Sequence, residues 1–393
     1  MARVLLITHI FPPAIDGGSK VISKMGEYLK KNGHQVLVVT SNCHSTDDFV
    51  STHHNQILSH KNEQNIIRLP VITIFHRPFK LLSRFLPNFK TFSKGPIFSG
   101  FKFLVSSFNF KPDFIIAGPL PTTIVLYARL IRFITKTLFN HSPKLIINAS
   151  FHQNDHDFQT PILLNTLKSA DFIWTLTDYE TNYFHRHLSI PKNKLLNLGN
   201  GVDKSFLSTS KLQNYLSTNL LYIGSFAAHK NISTLISAFA LLPNTFTLSL
   251  AGQKTLFYPQ IKAQIENLPP SVSKRIKLIF SFDNSKLSQL IDNCQLLISP
   301  STQESFGLVL IEAMARSKPV LAADIPASIE LIKKSQSGLI FSKKDPHDLK
   351  KKILQITQNK TLQKKFSSLG FKYVSQRFTW DKIGANLCKK LDI

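Results

Sequence analysis

Two glutamates stand eight positions apart in one of the most apolar stretches of the sequence, SPSTQESFGLVLIEAMARSKPVLAADIP (residues 299–326). They are Glu304 and Glu312, and the whole chain of 393 residues has only seven Glu. A carboxylate among apolar neighbours costs free energy unless it is paired or bound to a ligand. Because vicinal hydroxyl groups of a sugar are good hydrogen-bond donors to carboxylates, this pair could do carbohydrate chemistry.

The same stretch predicts a strand, a turn and a helix. Leu296–Ser299 is the predicted strand, residues 300–303 are the turn, and helical periodicity covers Ser305–Ala315. Glu304 then lies at a strand-to-helix junction, where free backbone N–H groups and the helix dipole attract anions. Glu312 falls two turns further, on roughly the same face. On spacing alone a second interpretation stays open, in which Glu304 caps the helix and Glu312 is a solvated helix residue.

Short apolar runs alternate with longer amphipathic segments along the whole chain, which predicts parallel sheets with helices on both faces. The polar stretch Lys204–Asn219 separates two such series and predicts two doubly wound domains joined by a link. The predicted strands are residues 4–8, 36–40, 66–69, 114–117, 145–149, 172–176 and 194–198 in the first series, and 220–223, 245–251, 276–280, 296–299, 319–322 and 338–341 in the second.

Five segments, in order, resemble retaining GT-B glycosyltransferases of the GT4 type, and the resemblance covers nearly the whole chain. The segments are FPPAIDGGSKVISKMGEYLKKNGHQVLVVT (11–40), LGNGVDKSF (198–206), LYIGSFAAHKNISTLISAF (221–239), E304-SFGLVLI-E312 and RFTWDKIG (377–384). The resemblance implies an α/β GT-B fold of two Rossmann-like domains with a cleft between them. It places an acceptor-binding domain at 1–205, a nucleotide-sugar-binding domain at 206–375, and a C-terminal helix at 376–393 that packs back on the first domain.

The resemblance also implies roles for individual residues. Lys230 would hold the donor diphosphate and stabilise its growing charge, Glu304 would contact the hydroxyls of the transferred sugar, and Glu312 would bind the ribose. His152, after the strand at 145–149, would bond the donor sugar or the acceptor and is a catalytic candidate with Glu304 and Lys230. Backbone N–H groups of the Ser-Phe-Gly step and a Gly-Gly loop in the first domain would contact the phosphates and the sugar: Ser305, Phe306, Gly307, Leu308, Gly17 and Gly18.

Several positions depart from the family pattern. Ser225 stands where many relatives have an arginine on the diphosphate, so donor binding could be weaker, or His229 or Lys254 could compensate. Gln253 and Ser281 replace frequent glycines near the expected nucleotide base. The base is therefore open, with a preference for uridine.

Metal binding is an alternative for one loop. Asp155-His156-Asp157 is a D-x-D string, and with His152 it could bind a divalent cation. The resemblance is to a metal-independent fold, so we expect no metal and no cofactor, with the nucleotide sugar as co-substrate.

The charge is strongly positive, with 48 Lys and Arg against 23 Asp and Glu. Between Gln64 and Asn154 there are twelve Lys and Arg and one acid, Asp113. The basic, Phe-rich region 77–111 is typical of a surface that lies on an anionic membrane. A charge that only keeps the protein soluble and a nucleic-acid interface are the alternatives, but we find no nucleic-acid-binding motif.

The remaining features concern location and reaction. Three scattered cysteines fit a reducing compartment, and we find neither a signal peptide nor a membrane span. We therefore predict a cytoplasmic protein, peripheral on the inner face of the membrane, that transfers a sugar from a nucleoside-diphosphate-sugar to a glycan or lipid-linked acceptor. The rivals are a sugar-nucleotide epimerase, a phosphorylase, a catalytically idle relative and a nucleic-acid-binding protein.

Overall fold

A computed structural model of the protein describes residues 1–13, 17–43, 46–49, 65–93, 95–99, 102–150, 160–207, 218–280 and 284–393. Within these ranges the chain forms two compact units. The first contains Met1–Gly199 and Ile383–Ile393, and the second contains Asn200–Lys382. Each unit has its own sheet and its own buried apolar core. The predicted α/β class, with two doubly wound parallel sheets, is confirmed.

The sheet of the first unit has seven parallel strands: β1 Arg3–Thr8, β2 Gln35–Ser41, β3 Ile66–Leu69, β4 Phe114–Gly118, β5 Lys144–Asn148, β6 Phe172–Thr175 and β7 Leu195–Asn197. Their order is β3-β2-β1-β4-β5-β6-β7. The central pair β1 and β4 runs in register from Val4 opposite Phe114 to Thr8 opposite Gly118. Nearly all residues of these two strands are buried, since helices cover both faces of the sheet.

The helices of the first unit, in its described part, are α1 Gly17–Lys31, α2 His76–Leu82, α3 Phe89–Phe92, α4 Lys102–Phe110, α5 Ile124–Phe139, α6 Pro161–Ser169 and α7 Asp178–His187. The last helix of the chain, α16 Trp380–Leu391, returns to this unit. It lies against α1 so closely that a Cβ on Gly384 would come within 2.2 Å of the Tyr28 ring. A glycine is therefore required at this crossing.

The sheet of the second unit has six parallel strands: β8 Asn219–Ile223, β9 Thr247–Ala251, β10 Ile276–Ile279, β11 Leu296–Ser299, β12 Val320–Ala323 and β13 Gly338–Phe341. Their order is β10-β9-β8-β11-β12-β13. The helices around it are α8 Ile232–Ala240, α9 Tyr258–Glu266, α10 Pro270–Ser273, α11 Asn284–Asp292, α12 Leu308–Ala315, α13 Pro326–Ser335, α14 Pro346–Thr357 and α15 Lys360–Arg377.

Each predicted strand is present, with its ends within two residues of the predicted ones. Both ends of the link that we predicted at Lys204–Asn219 are described, whereas residues 208–217 lie outside the described ranges. None of the helices described in the structure is long and apolar enough to cross a membrane.

Candidate active site

The residues of interest in the second unit meet where the order of its sheet reverses. The strand β8 is followed along the chain by β9, its neighbour on one side, whereas its neighbour on the other side, β11, is followed by β12. In the sheet, Leu220 of β8 stands opposite Leu296 of β11. At such a switch point the loops after the two strands lie side by side and form the usual ligand-binding crevice of open α/β sheets.

Three hydrogen bonds hold these two loops together. The side-chain amide of Asn231 donates to the carbonyl of Pro300 at 3.2 Å. Thr302 donates its backbone N–H at 2.8 Å and its hydroxyl at 3.0 Å to the carbonyl of His229. Because Lys230 stands between His229 and Asn231, its backbone is fixed relative to the turn that follows β11.

Lys230 and Glu304 form an ion pair between the two loops. The ammonium of Lys230 contacts Oε1 of Glu304, and the two side chains are 19 % and 16 % exposed. The hydroxyl of Ser301 donates to the same carboxylate oxygen at 3.0 Å. The fold thus places a cation that could bind a diphosphate beside a carboxylate that could accept hydrogen bonds from sugar hydroxyls.

The helix α12 begins later than its periodicity predicts. Gly307 is the residue before the helix and has a left-handed backbone with φ 90°, and Leu308 is the first helical residue. The predicted start at Ser305 is therefore wrong. Glycine adopts this φ without strain, and a Cβ at this position would lie 3.1 Å from Cδ1 of Leu310. Residues 305–307 form a turn next to Glu304, at the helix end where backbone N–H groups lack intrahelical acceptors and attract anions.

The structure also decides between the two interpretations of the glutamates. The residue at the N-cap position of α12 is Gly307, so Glu304, three residues earlier, does not stand at the capping position. Glu312 is only 6 % exposed, so it is not a solvated helix residue. A carboxylate at this depth needs hydrogen-bond donors from the protein or from a ligand. Both glutamates therefore remain candidates for ligand binding.

Tyr222, near the end of β8, is a residue of this region that sequence reasoning missed. Its side chain is buried, and its hydroxyl donates to the carbonyl of Ser225 at 2.8 Å. Burial, followed by the negative charge of Glu304, raises the pKa of Tyr222 well above its ordinary value. Tyr222 therefore stays neutral and supports the turn that holds Ser225. In the sequence, the run LLYIG shows only that one side chain of an otherwise apolar strand carries a polar atom.

The positions that depart from the family pattern are only partly described. Lys254 lies over the rings of Phe280 and Tyr258, with its ammonium 4.6 Å and 5.1 Å from the ring centres. Its charge is thus engaged by aromatic faces. His229 is exposed, and its backbone carbonyl accepts the two hydrogen bonds from Thr302. Ser281 lies outside the described residues.

The site residues predicted in the first unit fall at its N-terminal helix and in one loop. Gly17 and Gly18 are the first two residues of α1, so they start a helix and do not form a loop. A Cβ on Gly18 would lie 2.8 Å from the ring of Pro119, which explains the glycine by close packing. His152 and the string Asp155-His156-Asp157 lie outside the described residues. Among the residues that the structure describes, no three His, Cys, Asp or Glu side chains form a group that could hold a metal ion.

Two family models match the chain. The model described as "Glycosyl transferases group 1" matches residues 210–373, and the model described as "Glycosyltransferase Family 4" matches residues 15–206. The two matched ranges correspond closely to the two sheets of the structure.

Relatives and solved structures are similar to this chain over long ranges. An uncharacterized glycosyltransferase of Methanocaldococcus jannaschii is 29 % identical over 58 % of this chain and 64 % of its own length. The match thus spans less than two thirds of that relative. O-antigen chain mannosyltransferase B of Escherichia coli is 24 % identical over 68 % of this chain and 71 % of its own. The crystal structure of Anabaena HepE in complex with UDP-glucose has a TM-score of 0.74 at 17 % identity, with all of both chains covered, which shows a shared fold.

Proposed function

The chain belongs to the GT-B glycosyltransferases, and from this premise we propose that it moves a sugar from a nucleoside-diphosphate-sugar, with UDP-sugars favoured, to a glycan or lipid-linked acceptor. The observation that carries the proposal is the Lys230–Glu304 pair at the switch point of the second sheet, next to the start of α12. The bound UDP-glucose of Anabaena HepE supports a uridine donor. The similarity to an O-antigen chain mannosyltransferase supports a glycan acceptor.

Donor binding exchanges the partners of the ion pair. A diphosphate carries more negative charge than one carboxylate, so the flexible Lys230 ammonium turns from Glu304 to the diphosphate. Glu304 then accepts hydrogen bonds from hydroxyls of the sugar. The backbone N–H groups of residues 305–308 bind the phosphates, and Glu312 accepts from the ribose hydroxyls. Gly17 and Gly18, at the start of α1, are proposed as a second phosphate contact.

The reaction proceeds with retention at the anomeric carbon. The bond from this carbon to the diphosphate breaks, and its electron pair leaves with the nucleotide. The acceptor oxygen bonds to the same face of the carbon, and its proton passes to the departing phosphate. Lys230 and the N–H groups at the start of α12 stabilise the charge that grows on the leaving group, and an interaction that strengthens in this way lowers the barrier. These charge partners come from the chain itself, and the mechanism is proposed without a metal.

One observation favours a second candidate function. Ser225 replaces the arginine of many relatives, and Lys254, a possible substitute, is engaged with two rings. A relative that binds the nucleotide sugar without transferring it would fit this loss of one cation. Such a protein would bind the donor and release no nucleotide from it.

The membrane contact is proposed for the segment from Ile74 to Phe92, called here the α2–α3 segment. Three of its phenylalanines, Phe79, Phe89 and Phe92, pack on one another with ring centres 5.3 to 6.4 Å apart. Other apolar side chains are left in solvent: Ile74, Leu81, Leu82, Phe85 and Leu86. Arg77, Lys80 and Arg84 are exposed among them.

Apolar side chains on a basic, exposed surface suit the interface of an anionic bilayer. We place this contact on the inner face of the membrane, where a lipid-linked acceptor would meet a cytoplasmic donor.

Vesicle sedimentation tests the membrane contact. We expect the protein to sediment with phosphatidylglycerol vesicles at low salt and much less with phosphatidylcholine vesicles. The double variant Leu81→Ser, Phe85→Ser should bind about tenfold more weakly, because it removes large exposed apolar side chains from the contact. The matched control is Leu256→Ser, which changes a 94 % exposed leucine of the second unit. Equal sedimentation of all three proteins would contradict this contact.

Thermal shift with nucleotide sugars tests the proposed function. A ligand at about 100 times its dissociation constant adds roughly 2.7 kcal/mol to the stability of the folded state. We expect a UDP-sugar to raise the melting temperature of the wild type and not that of Glu312→Ala. Glu266→Ala is the control, since Glu266 is an exposed helix residue of the same unit. If UDP-, GDP- and ADP-sugars all leave the wild type unchanged, the proposed function is wrong.

A further inference from the structure

Phe306, in the middle of the turn at 305–307, anchors that turn to another part of the second unit. It is 4 % exposed, and its ring meets the ring of Phe378 edge-on, with the ring centres 5.3 Å apart. Phe378 in turn meets Tyr373 at 5.5 Å. Through Phe306, the proposed nucleotide-sugar turn thus takes part in a cluster of three aromatic side chains, Phe306, Phe378 and Tyr373.

Phe378 also lies close to the end of the second unit, in a segment that pairs with the segment at its beginning. The chain enters this unit at Asn200 and leaves it at Lys382. The carbonyl of Phe378 accepts from the backbone N–H of Val202 at 2.8 Å, and the N–H of Trp380 donates to the carbonyl of Val202 at 3.1 Å. Residues 200–204 and 378–382 are therefore hydrogen-bonded to each other, and we call them the paired connector.

Two further contacts make the paired connector tight. A Cβ on Gly201 would lie 2.7 Å from the backbone nitrogen of Trp380, so a larger residue would force the two segments apart. Lys204 and Asp381 add an ion pair at 2.6 Å. A displacement of Phe378 is consequently passed to both segments of the connector.

We propose that Phe378 is a positioning residue for the nucleotide-sugar turn, and that it links ligand binding on this turn to the order of the paired connector. The inference rests on the proposed function, because it takes the turn at 305–307 as the diphosphate contact. When the N–H groups of Ser305 and Gly307 close on phosphate, the buried ring of Phe306 moves with them. Phe378 fills the space next to that ring, so it moves too and carries its bond to Val202 along.

Hydrogen exchange followed by mass spectrometry tests this link on the full chain. UDP, GDP and ADP serve as probes at saturating concentration. In the wild type we expect the nucleotide that binds to slow exchange both in residues 304–308 and in the paired connector. In Phe378→Leu we expect protection of residues 304–308 alone and about two- to tenfold weaker nucleotide binding, the range for loss of an aromatic pair.

Phe371→Leu is the matched control. Phe371 is half-buried on α15, the helix that ends at the residue before Phe378, and lies outside the aromatic cluster. Both leucine variants lose packing, so general destabilisation affects both, whereas the connector should respond to nucleotide in Phe371→Leu and not in Phe378→Leu. Melting curves of the three proteins show whether each variant is folded.

The other outcomes distinguish failure of the link through Phe378 from failure of the proposed function. If the wild type protects residues 304–308 but not the connector, the link is wrong and the proposed function stands. If Phe378→Leu protects the connector as the wild type does, Phe378 is not the residue that makes the link. If none of the nucleotides protects residues 304–308 in the wild type, the proposed function and the link fail together.

Discussion

Changing Glu304 to Gln should strengthen the binding of a free nucleoside diphosphate while it weakens turnover. Lys230 is held by the Glu304 carboxylate before any ligand arrives, so a diphosphate has to compete for the ammonium. The substituted amide would keep the shape of the side chain and the contact with Ser301 but remove the competing charge. A donor sugar, in contrast, would lose a charged acceptor for its hydroxyls.

The expected size of the change in UDP binding follows from the burial of the Lys230–Glu304 ion pair. The two side chains are 19 % and 16 % exposed, so water screens the attraction only in part, but desolvation offsets much of the Coulomb energy. A net value of about 1 kcal/mol, at the upper end for an exposed pair, corresponds to roughly fivefold tighter binding of UDP. A lost hydrogen bond between a sugar hydroxyl and a carboxylate is worth about 1.5–3 kcal/mol, or roughly 10- to 150-fold in turnover.

Titration calorimetry with UDP and a nucleotide-release assay with the UDP-sugar measure the two effects. Glu266→Gln is the control, since it neutralises an exposed carboxylate that pairs with Lys262 in the same unit, and it should change neither value. Weaker binding of UDP to Glu304→Gln than to the wild type would refute the exchange of partners. Such a result would mean that Glu304 organises the phosphate site and does not compete with it.

Three further predictions concern the framework of the second unit. Gly307→Ala should lower the free energy of unfolding by about 1–2 kcal/mol in denaturant melts, because alanine is strained at φ 90° and its Cβ would lie 3.1 Å from Leu310. Arg316→Met should cost about 3–5 kcal/mol by the same measurement, since it removes the guanidinium that now donates to the buried Asp292 carboxylate at 2.5 and 2.8 Å. Burial raises the pKa of the Cys294 thiol from 9.0 to about 12. The folded state keeps this thiol proton at a pH where the unfolded state has lost it, so the free energy of unfolding falls as the pH rises from about 9 towards 12. Cys294→Ala should show a shallower loss in that window.

Each of these has a control or a contradicting result. Gly33→Ala, at a glycine with φ 84° and open space around its Cβ position, separates backbone strain from the contact with Leu310. Adding Asp292→Asn to Arg316→Met should restore part of the lost stability, and no recovery would mean that the loss does not come from the charge of Asp292. Equal slopes of stability against pH for the wild type and Cys294→Ala would contradict a raised thiol pKa.

The strands were predictable because buried parallel strands read as continuous apolar runs. Leu296–Ser299 and Gly338–Phe341 were predicted with their observed ends. The contact between Lys230 and Glu304 could not be predicted in the same way. It depends on β8 and β11 being neighbours, which is a property of sheet order and not of either segment.

Local conformation was the other source of error. Ser305 and the residues after it are adequate helix formers, and periodicity does not reveal that Gly307 takes a left-handed φ, so the predicted helix begins three residues before the observed one. The family resemblance implied a loop at Gly17 and Gly18, whereas both residues belong to α1, where Gly18 packs closely on Pro119. Phe306 and Phe378 are far apart in the sequence, and nothing in either segment indicates that their rings meet.

The release of nucleotide from a UDP-, GDP- or ADP-sugar, with a membrane lipid extract supplying the acceptor, tests sugar transfer most directly. The proteins to compare are the wild type, Lys230→Met and, as a control for an exposed lysine of the same unit, Lys262→Met. We expect the wild type and Lys262→Met to release nucleotide from one of the three donors, and Lys230→Met to be slower by about 100-fold or more. Equal rates for the wild type and Lys230→Met, or no release from any donor by the wild type, would contradict a glycosyl transfer that relies on Lys230.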